Sequence, residues 1–285
     1  MTDRTLHFGL SDEELATRPL AYRSDLFAGQ TVLVSGAASG IGKATAWLYG
    51  RLGAQVAICG RDAGKLAAAV AVMRGAGLVA ESFACNIRQP DQVAALFAAT
   101  LGRFGDLDFL VNSAGGQYPQ AAIDFTAKGW NAVIETNLTG TWFMMQAAAR
   151  HWRDTGRPGS IVNVVTVTDR GQPGIAHSCA ARAGVIALTK TVAVEWAPYR
   201  IRVNCLAPGA IDTEGQRVYP EEARRRSFRA NPMLRFGDAF DIAEAAAYLS
   251  IGSFVTGETL TVDGGGVLWG QFWATELPDY FKEPD

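Results

Sequence analysis

A short β-branched run, TVLVS at 31–35, breaks directly into the glycine cluster SGAASGIG at 35–42 and then into an alanine-rich amphipathic stretch from Lys43 to Leu52. Glycine at such a junction lets the chain turn sharply from strand to helix without a Cβ in the way. The unit recurs down the chain. Strand-like runs at 55–59, 79–85, 107–112, 160–165, 200–206 and 259–263 alternate with helical patterns at 63–74, 91–104, 128–152, 177–196 and 239–250. Buried apolar strands separated by helices argue for parallel pairing, because a parallel crossover needs a dozen or more residues and leaves both sheet faces covered. The expectation is an α/β, doubly wound sheet of about seven parallel strands with helices on both faces.

A length of 285 residues leaves room for two domains. The strands nevertheless fill one sheet, so we expect a single Rossmann domain over 29–268, an N-terminal extension over 1–28 and a C-terminal tail over 269–285. Hydrophobic residues make up 48% and charged residues 19%, which excludes a disordered chain. Twenty-six basic against 28 acidic side chains leave a net charge of -2, which argues against nucleic acid or an anionic membrane as partner. No apolar run approaches the roughly 18 residues of a membrane span, and the opening MTDRTLHFGLSDEEL is acidic where a secretory signal is basic and then apolar. A soluble, cytoplasmic protein is the expectation. Cys59, Cys85, Cys179 and Cys205 lie far apart with no C-x-x-C pair, so they read as reduced thiols, with neither a metal site nor a disulfide framework.

Gly36, Gly40 and Gly42 have G-x-x-x-G-x-G spacing between a strand and a helix. Such a turn lets a pyrophosphate approach the backbone, and the exposed N–H groups and dipole of the helix N-terminus favour its charge. The end of the second strand then discriminates between cofactors. A carboxylate there accepts from the ribose 2′-OH of NAD, whereas a 2′-phosphate calls for arginine. Cys59-Gly60-Arg61 points to NADPH, with Arg61 on the phosphate; the alternative is a solvated Arg61, with Asp62 on the ribose.

These residues resemble the short-chain dehydrogenase/reductase family over about 28–268. SGAASGIG is similar to its T-G-x-x-x-G-I-G, Asn112-Ser113-Ala114-Gly115 to its N-N-A-G, Asn137 in TNLTG to its structural and catalytic asparagine, and Pro208-Gly209 to its P-G. The resemblance implies cofactor contacts at Gly36, Ser39, Gly40, Ile41, Gly42, Arg61, Asn86, Ile87, Asn112, Ala114, Gly115, Arg182, Pro208, Gly209 and Ile211. It also implies a substrate lid near 212–235 and a homotetramer.

The catalytic motif departs from the family pattern of a serine followed by Tyr-x-x-x-Lys. Alignment on AGVIALTK places Ser178 at the tyrosine, Arg182 at the lysine and Thr166 nearest the serine, and no tyrosine lies between 119 and 198. Carbonyl reduction needs a group that exchanges a proton with an alkoxide, a role for a tuned phenol. Reduction of an enoyl thioester instead sends hydride to carbon and gathers charge on the thioester oxygen, which calls for hydrogen-bond donors. Asn137, Thr166, Ser178 and Arg182 are the candidate catalytic residues: Thr166 and Ser178 on the substrate oxygen, Arg182 on the ribose, Asn137 behind the site.

LVNSAGGQYP, SFACNIR and AHSCAARAGV resemble the peroxisomal trans-2-enoyl-CoA reductases, and more distantly the 2,4-dienoyl-CoA reductases. An HSGAARAG-like segment also occurs in citronellol and citronellal dehydrogenases. The expectation is an NADPH-dependent reductase of a 2-enoyl-CoA. An alcohol dehydrogenase or ketone reductase for a hydrophobic substrate is the first alternative, and a catalytically silent NADP-binding module the second. Arg224, Arg225, Arg226 and Arg229 stand where a lid could meet the phosphates of an acyl-CoA, against the alternative of a solvated helix face. His177 and Tyr118 read as packing residues before catalytic ones, and Trp269, Phe272 and Trp273 as a subunit-contact segment.

Overall fold

The computed structural model describes residues 8–227, 230–269 and 279–281, the side chains of 225–227 and 279 excepted. Seven strands form one parallel sheet in the order β3-β2-β1-β4-β5-β6-β9. They are β1 (Thr31–Ser35), β2 (Gln55–Gly60), β3 (Ala80–Ala84), β4 (Phe109–Asn112), β5 (Gly159–Val164), β6 (Ile201–Pro208) and β9 (Thr259–Val262). The order reverses between β1 and β4, because the chain returns to the centre after building outward to β3. In a doubly wound sheet the crevice at that reversal is where ligands bind.

Helices α2 (Gly40–Arg51), α3 (Ala63–Gly75) and α9 (Ala239–Ile251) cover one face, and α4 (Pro90–Phe104), α6 (Thr141–Thr155) and α7 (Ala176–Glu195) the other. β1 and the central part of β2 are fully buried, as covering on both faces demands. Trp47, Tyr49 and Phe240 fill the first interface, while Met144, Met145 and Trp152 fill the second. No helix among the described residues is long and apolar enough to cross a membrane.

Two elements differ from the sequence reading. The helix expected over 128–152 is divided: α5 (Ala127–Ile134) passes through a π-helical turn at Glu135–Gly140 before α6 begins. The N-terminal segment, read as a polar extension, holds α1 (Asp12–Thr17), closed by a Ser11–Glu14 capping box. Its Leu15 and the later Phe27 are buried, and the Phe27 ring stacks on Tyr49 at 4.7 Å. Arg51 of α2 donates to the carbonyls of Leu15 and Arg18 at 2.8 and 2.6 Å, tying α1 to the first crossover helix.

Two short parallel strands, β7 (Ile211–Asp212) and β8 (Gly237–Asp238), bracket a segment carrying a 3-10 turn (Glu214–Val218) and α8 (Glu221–Ser227). That segment forms one wall of the cleft described next.

Candidate active site

The carboxyl ends of the strands open into one cleft of about 1580 Å³. Pockets for a single drug-sized ligand run to about 1,000 Å³, so a cofactor and a substrate have room here together. The cleft is lined by Gly36, Ser39, Gly40, Ile41 and Gly42 from the first turn, Asn86 and Ile87 after β3, Ala114 and Gly115 after β4, and Pro208, Gly209 and Ile211 after β6.

Packing explains the glycines. A Cβ at Gly36 would lie 2.7 Å from the Ala114 Cα, and one at Gly42 would lie 2.5 Å from the Gly36 carbonyl oxygen. The Gly36 N–H donates to the Cys59 carbonyl at 2.8 Å, fixing the turn against the end of β2. Ser39 is the N-cap of α2 and makes no side-chain cap bond, so its hydroxyl remains available beside the helix N-terminus. The Gly40 N–H donates to Glu214 Oε2 at 3.0 Å, which fastens the 3-10 turn to the glycine turn.

At the cleft's outer end stand Gly60, Arg61, Asp62 and Lys65. Asp62 is the N-cap of α3 and accepts from the Lys65 N–H at 3.0 Å. Arg61 is exposed and makes no ion pair among the described residues.

The inner end brings Asn137, Ser178 and Arg182 together through hydrogen bonds, and Thr166 lines the same cleft. A π turn leaves carbonyls free of the usual ladder, and such turns favour functional sites. Here the carbonyl of Asn137 accepts from Thr141 Oγ1 at 3.0 Å and from Arg182 Nη1 at 3.3 Å. Arg182 Nη2 donates to the Ala114 carbonyl at 3.3 Å, so the guanidinium is forked between two backbone oxygens. It is 7% exposed, burial pushes its pKa down to about 10, and it pairs with no carboxylate among the described residues. The cation persists at neutral pH without a counter-charge, a costly state that an electron-rich ligand relieves.

Ser178, one helical turn before Arg182, is 1% exposed; its Oγ accepts from Asn137 Nδ2 at 3.3 Å and donates to Gln117 Oε1 at 2.7 Å. Thr166 Oγ1 accepts from Gln172 Nε2 at 3.0 Å, which leaves its own proton free. Gln117, Gln172, Thr213, Tyr219 and Asp263 also line the cleft and were missed in the sequence. Gln117 carried a signal, since it follows the N-S-A-G run at a strand's carboxyl end.

Asn112 requires a correction. It lines no part of the cleft; it is 2% exposed and its Nδ2 donates to Asn163 Oδ1 at 2.9 Å, bridging β4 and β5. Strand alternation turns it to the face under α6 and α7, where its partner Asn163 donates to Thr189 Oγ1 at 3.0 Å, and the residues after it line the cleft. Arg224 also departs from its expected place: its guanidinium lies 5.0 Å from the Phe8 ring, and its neighbour Ala223 lines the cleft instead. The side chains of Arg225 and Arg226, and Arg229, lie outside the described residues.

His177 is wholly buried in an aromatic cluster, 4.3 Å from Phe125 and 4.7 Å from Tyr118 between centroids, and burial lowers its pKa. Trp269 packs on Phe281 at 4.5 Å, while Phe272 and Trp273 lie outside the described residues.

A family model described as enoyl-(acyl carrier protein) reductase matches residues 36–266. A probable 2,4-dienoyl-CoA reductase [(2E)-enoyl-CoA-producing] of Bacillus subtilis is 37% identical over 243 residues, covering 83% of this chain and 96% of its own. A citronellol catabolism dehydrogenase of Pseudomonas aeruginosa superposes with a TM-score of 0.77 at 36% identity, covering 86% of this chain and 98% of its own. An actinorhodin polyketide ketoreductase solved with NADPH superposes at 0.79 with 32% identity, covering 83% and 97%. With its parallel sheet, its glycine turn and these relatives, the chain belongs to the short-chain dehydrogenase/reductase family of oxidoreductases, which bind nicotinamide cofactors.

Proposed function

We propose that the chain is an NADPH-dependent reductase of a carbon–carbon double bond conjugated to a thioester, as in a 2-enoyl-CoA. The carrying observation is the donor set that lines the cleft: a buried, unneutralised Arg182 and the hydroxyl of Ser178, both held by Asn137, together with the hydroxyl of Thr166, with no tyrosine on α7. That set suits an oxygen gathering negative charge better than a carbonyl that must be protonated. The dienoyl-CoA reductase relative supports the same chemistry.

The glycine turn and Ser39 would hold the cofactor pyrophosphate, and Arg61, an exposed cation lining the cleft, the 2′-phosphate. Arg182 would hold the nicotinamide ribose hydroxyls. NADPH bound there would supply hydride to the β-carbon, and a proton from water taken up at the α-carbon would complete the reduction. Thr166 donates its free proton as a hydrogen bond to the thioester oxygen. Ser178 supplies a second when it exchanges Gln117 for substrate, and Asn137 keeps both Ser178 and Arg182 in place. The acyl carrier would reach past Ala223, which lines the cleft.

Purified protein is assayed by NADPH absorbance against a 2-enoyl-CoA, a 2,4-dienoyl-CoA, a ketone panel and no substrate. Turnover of the thioesters is expected. Turnover of ketones alone would move the reading to an alcohol dehydrogenase, which the citronellol dehydrogenase relative favours. Tight NADPH binding without turnover of anything would leave a silent binding module.

A further inference from the structure

A phenol does stand in this cleft, but on the lid wall rather than on α7. The 3-10 turn at Glu214–Val218 delivers Tyr219, whose partly buried side chain lines the cleft. Its hydroxyl accepts from Gln117 Nε2, and Gln117 Oε1 accepts from Ser178 Oγ at 2.7 Å. Asn137, Ser178, Gln117 and Tyr219 thus form one hydrogen-bonded row from the inner end of the cleft to the lid.

The donor arithmetic of that row is informative. A hydroxyl carries one proton, and an amide offers donors at nitrogen and acceptors at oxygen. With Gln117 as placed, the Ser178 proton is spent on the amide oxygen and the Tyr219 proton is free. Turning the amide over reverses both bonds, freeing Ser178 and engaging Tyr219. Either way one hydroxyl of the pair has a proton to give to a ligand. With Ser178 1% exposed at the cleft's inner end, the phenol is the larger and more accessible of the two.

We propose that Tyr219 is a catalytic residue: its phenolic O–H donates a hydrogen bond to the substrate oxygen that gathers charge on hydride addition, with Gln117 as its positioning residue. The inference rests on the reductase reading above and names the donor that α7 lacks. Burial raises the phenol's pKa, against the lowering effect of the Gln117 hydrogen bond, so Tyr219 stays protonated at neutral pH and acts as a donor. The position of the wall that carries it is set by two bonds, Glu214 to the Gly40 N–H and Gln216 Nε2 to the Ile211 carbonyl at 2.9 Å.

The test compares wild type, Tyr219→Phe, Gln117→Leu and the control Tyr199→Phe, whose ring is 43% exposed away from the cleft. NADPH affinity, melting temperature, KM and kcat are measured with the substrates that wild type turns over. For Tyr219→Phe we expect unchanged melting and NADPH affinity, KM within about threefold and kcat lower by about 10²–10³, the range for loss of one oxyanion donor. Gln117→Leu should reproduce part of that loss in kcat, and Tyr199→Phe none. A Tyr219→Phe enzyme whose kcat stays within about threefold of wild type overturns the inference and leaves the reductase reading standing. A wild type inactive on every substrate overturns the reductase reading, and the inference with it. If Tyr219→Phe does not fold, Gln117→Leu decides: full kcat overturns the proposal.

Discussion

Asp62 closes the N-terminus of α3 through its bond to the Lys65 N–H, while the neighbouring Arg61 is exposed at the mouth of the cleft. The sequence alone left both residues as candidates for the ribose end of the cofactor. Asp62 spends only Oδ1 on the cap, so the choice rests on Arg61 itself, an exposed cation with no ion pair among the described residues and with the planar donor fork that suits a 2′-phosphate. Arg61→Ala should therefore reduce the ratio of kcat/KM for NADPH over NADH by about 10-fold or more, with the NADH value little changed, since a charge-assisted hydrogen bond contributes about 1.5–3 kcal/mol. An unchanged ratio would remove Arg61 from cofactor selection. The residues that sequence reading placed well at this scale have strong local reasons: Gly36 and Gly42 because no Cβ fits, and Arg182 because it follows Ser178 at the i+4 spacing that puts both on one helix face. Gln117, Gln172 and Tyr219 escaped because their positions depend on contacts 61, 6 and 102 residues away along the chain, or on which loop face turns inward. Asn112 was misplaced for the opposite reason: it sits inside a recognisable run, but strand alternation turns it to a covered face of the sheet, where it bonds Asn163.

At the scale of elements, the strand-and-helix alternation was legible because parallel pairing imposes long crossovers and two-sided burial, and both leave a pattern in sequence. The π turn left none. Residues 128–152 have a helical period throughout, and the extra residue in one turn is absorbed without a glycine or proline to mark it, Gly140 aside. Its consequence is large all the same, because the same turn frees the Asn137 carbonyl that Arg182 grips. The lid wall is a second element whose role comes from tertiary contacts. Glu214 lies beside Gly9, Lys43 and Ala44 and does not line the main cleft, so its bond to the Gly40 N–H anchors this wall from outside the cleft. Glu214→Ala should loosen that wall. We expect KM for the acyl substrate to rise several-fold with NADPH affinity within about twofold, and a stability change of about 1 kcal/mol for the single lost hydrogen bond. A marked gain in NADPH affinity would instead show that Glu214 competes with the pyrophosphate.

Across the whole molecule, the core under α2 and α9 is completed by a segment that composition gave no reason to include. The first 28 residues are mixed and polar, and α1 is six residues long, too short for a helical period to be read. Leu15 and Phe27 nevertheless join the core that lies between β1, α2 and α9, and Phe27 meets both Tyr49 at 4.7 Å and Phe109 at 5.0 Å. Tyr49 in turn bonds Ser250 at 2.6 Å, so the N-terminal segment, the first crossover helix and the last helix share one packed and hydrogen-bonded centre. A buried aromatic ring replaced by alanine loses its transfer free energy and leaves a cavity that close-packed neighbours fill only in part. Phe27→Ala should accordingly cost about 3–5 kcal/mol. In a chain of this size that corresponds to a fall in melting temperature on the order of 10 °C. The kinetic constants of the folded fraction should stay near those of wild type, because Phe27 lines no part of the cleft. Removal of residues 1–28 should cost at least as much, since it takes Leu15 and the two Arg51 bonds as well. A truncated protein that melts within a degree or two of the full chain would show that the segment is an appendage after all.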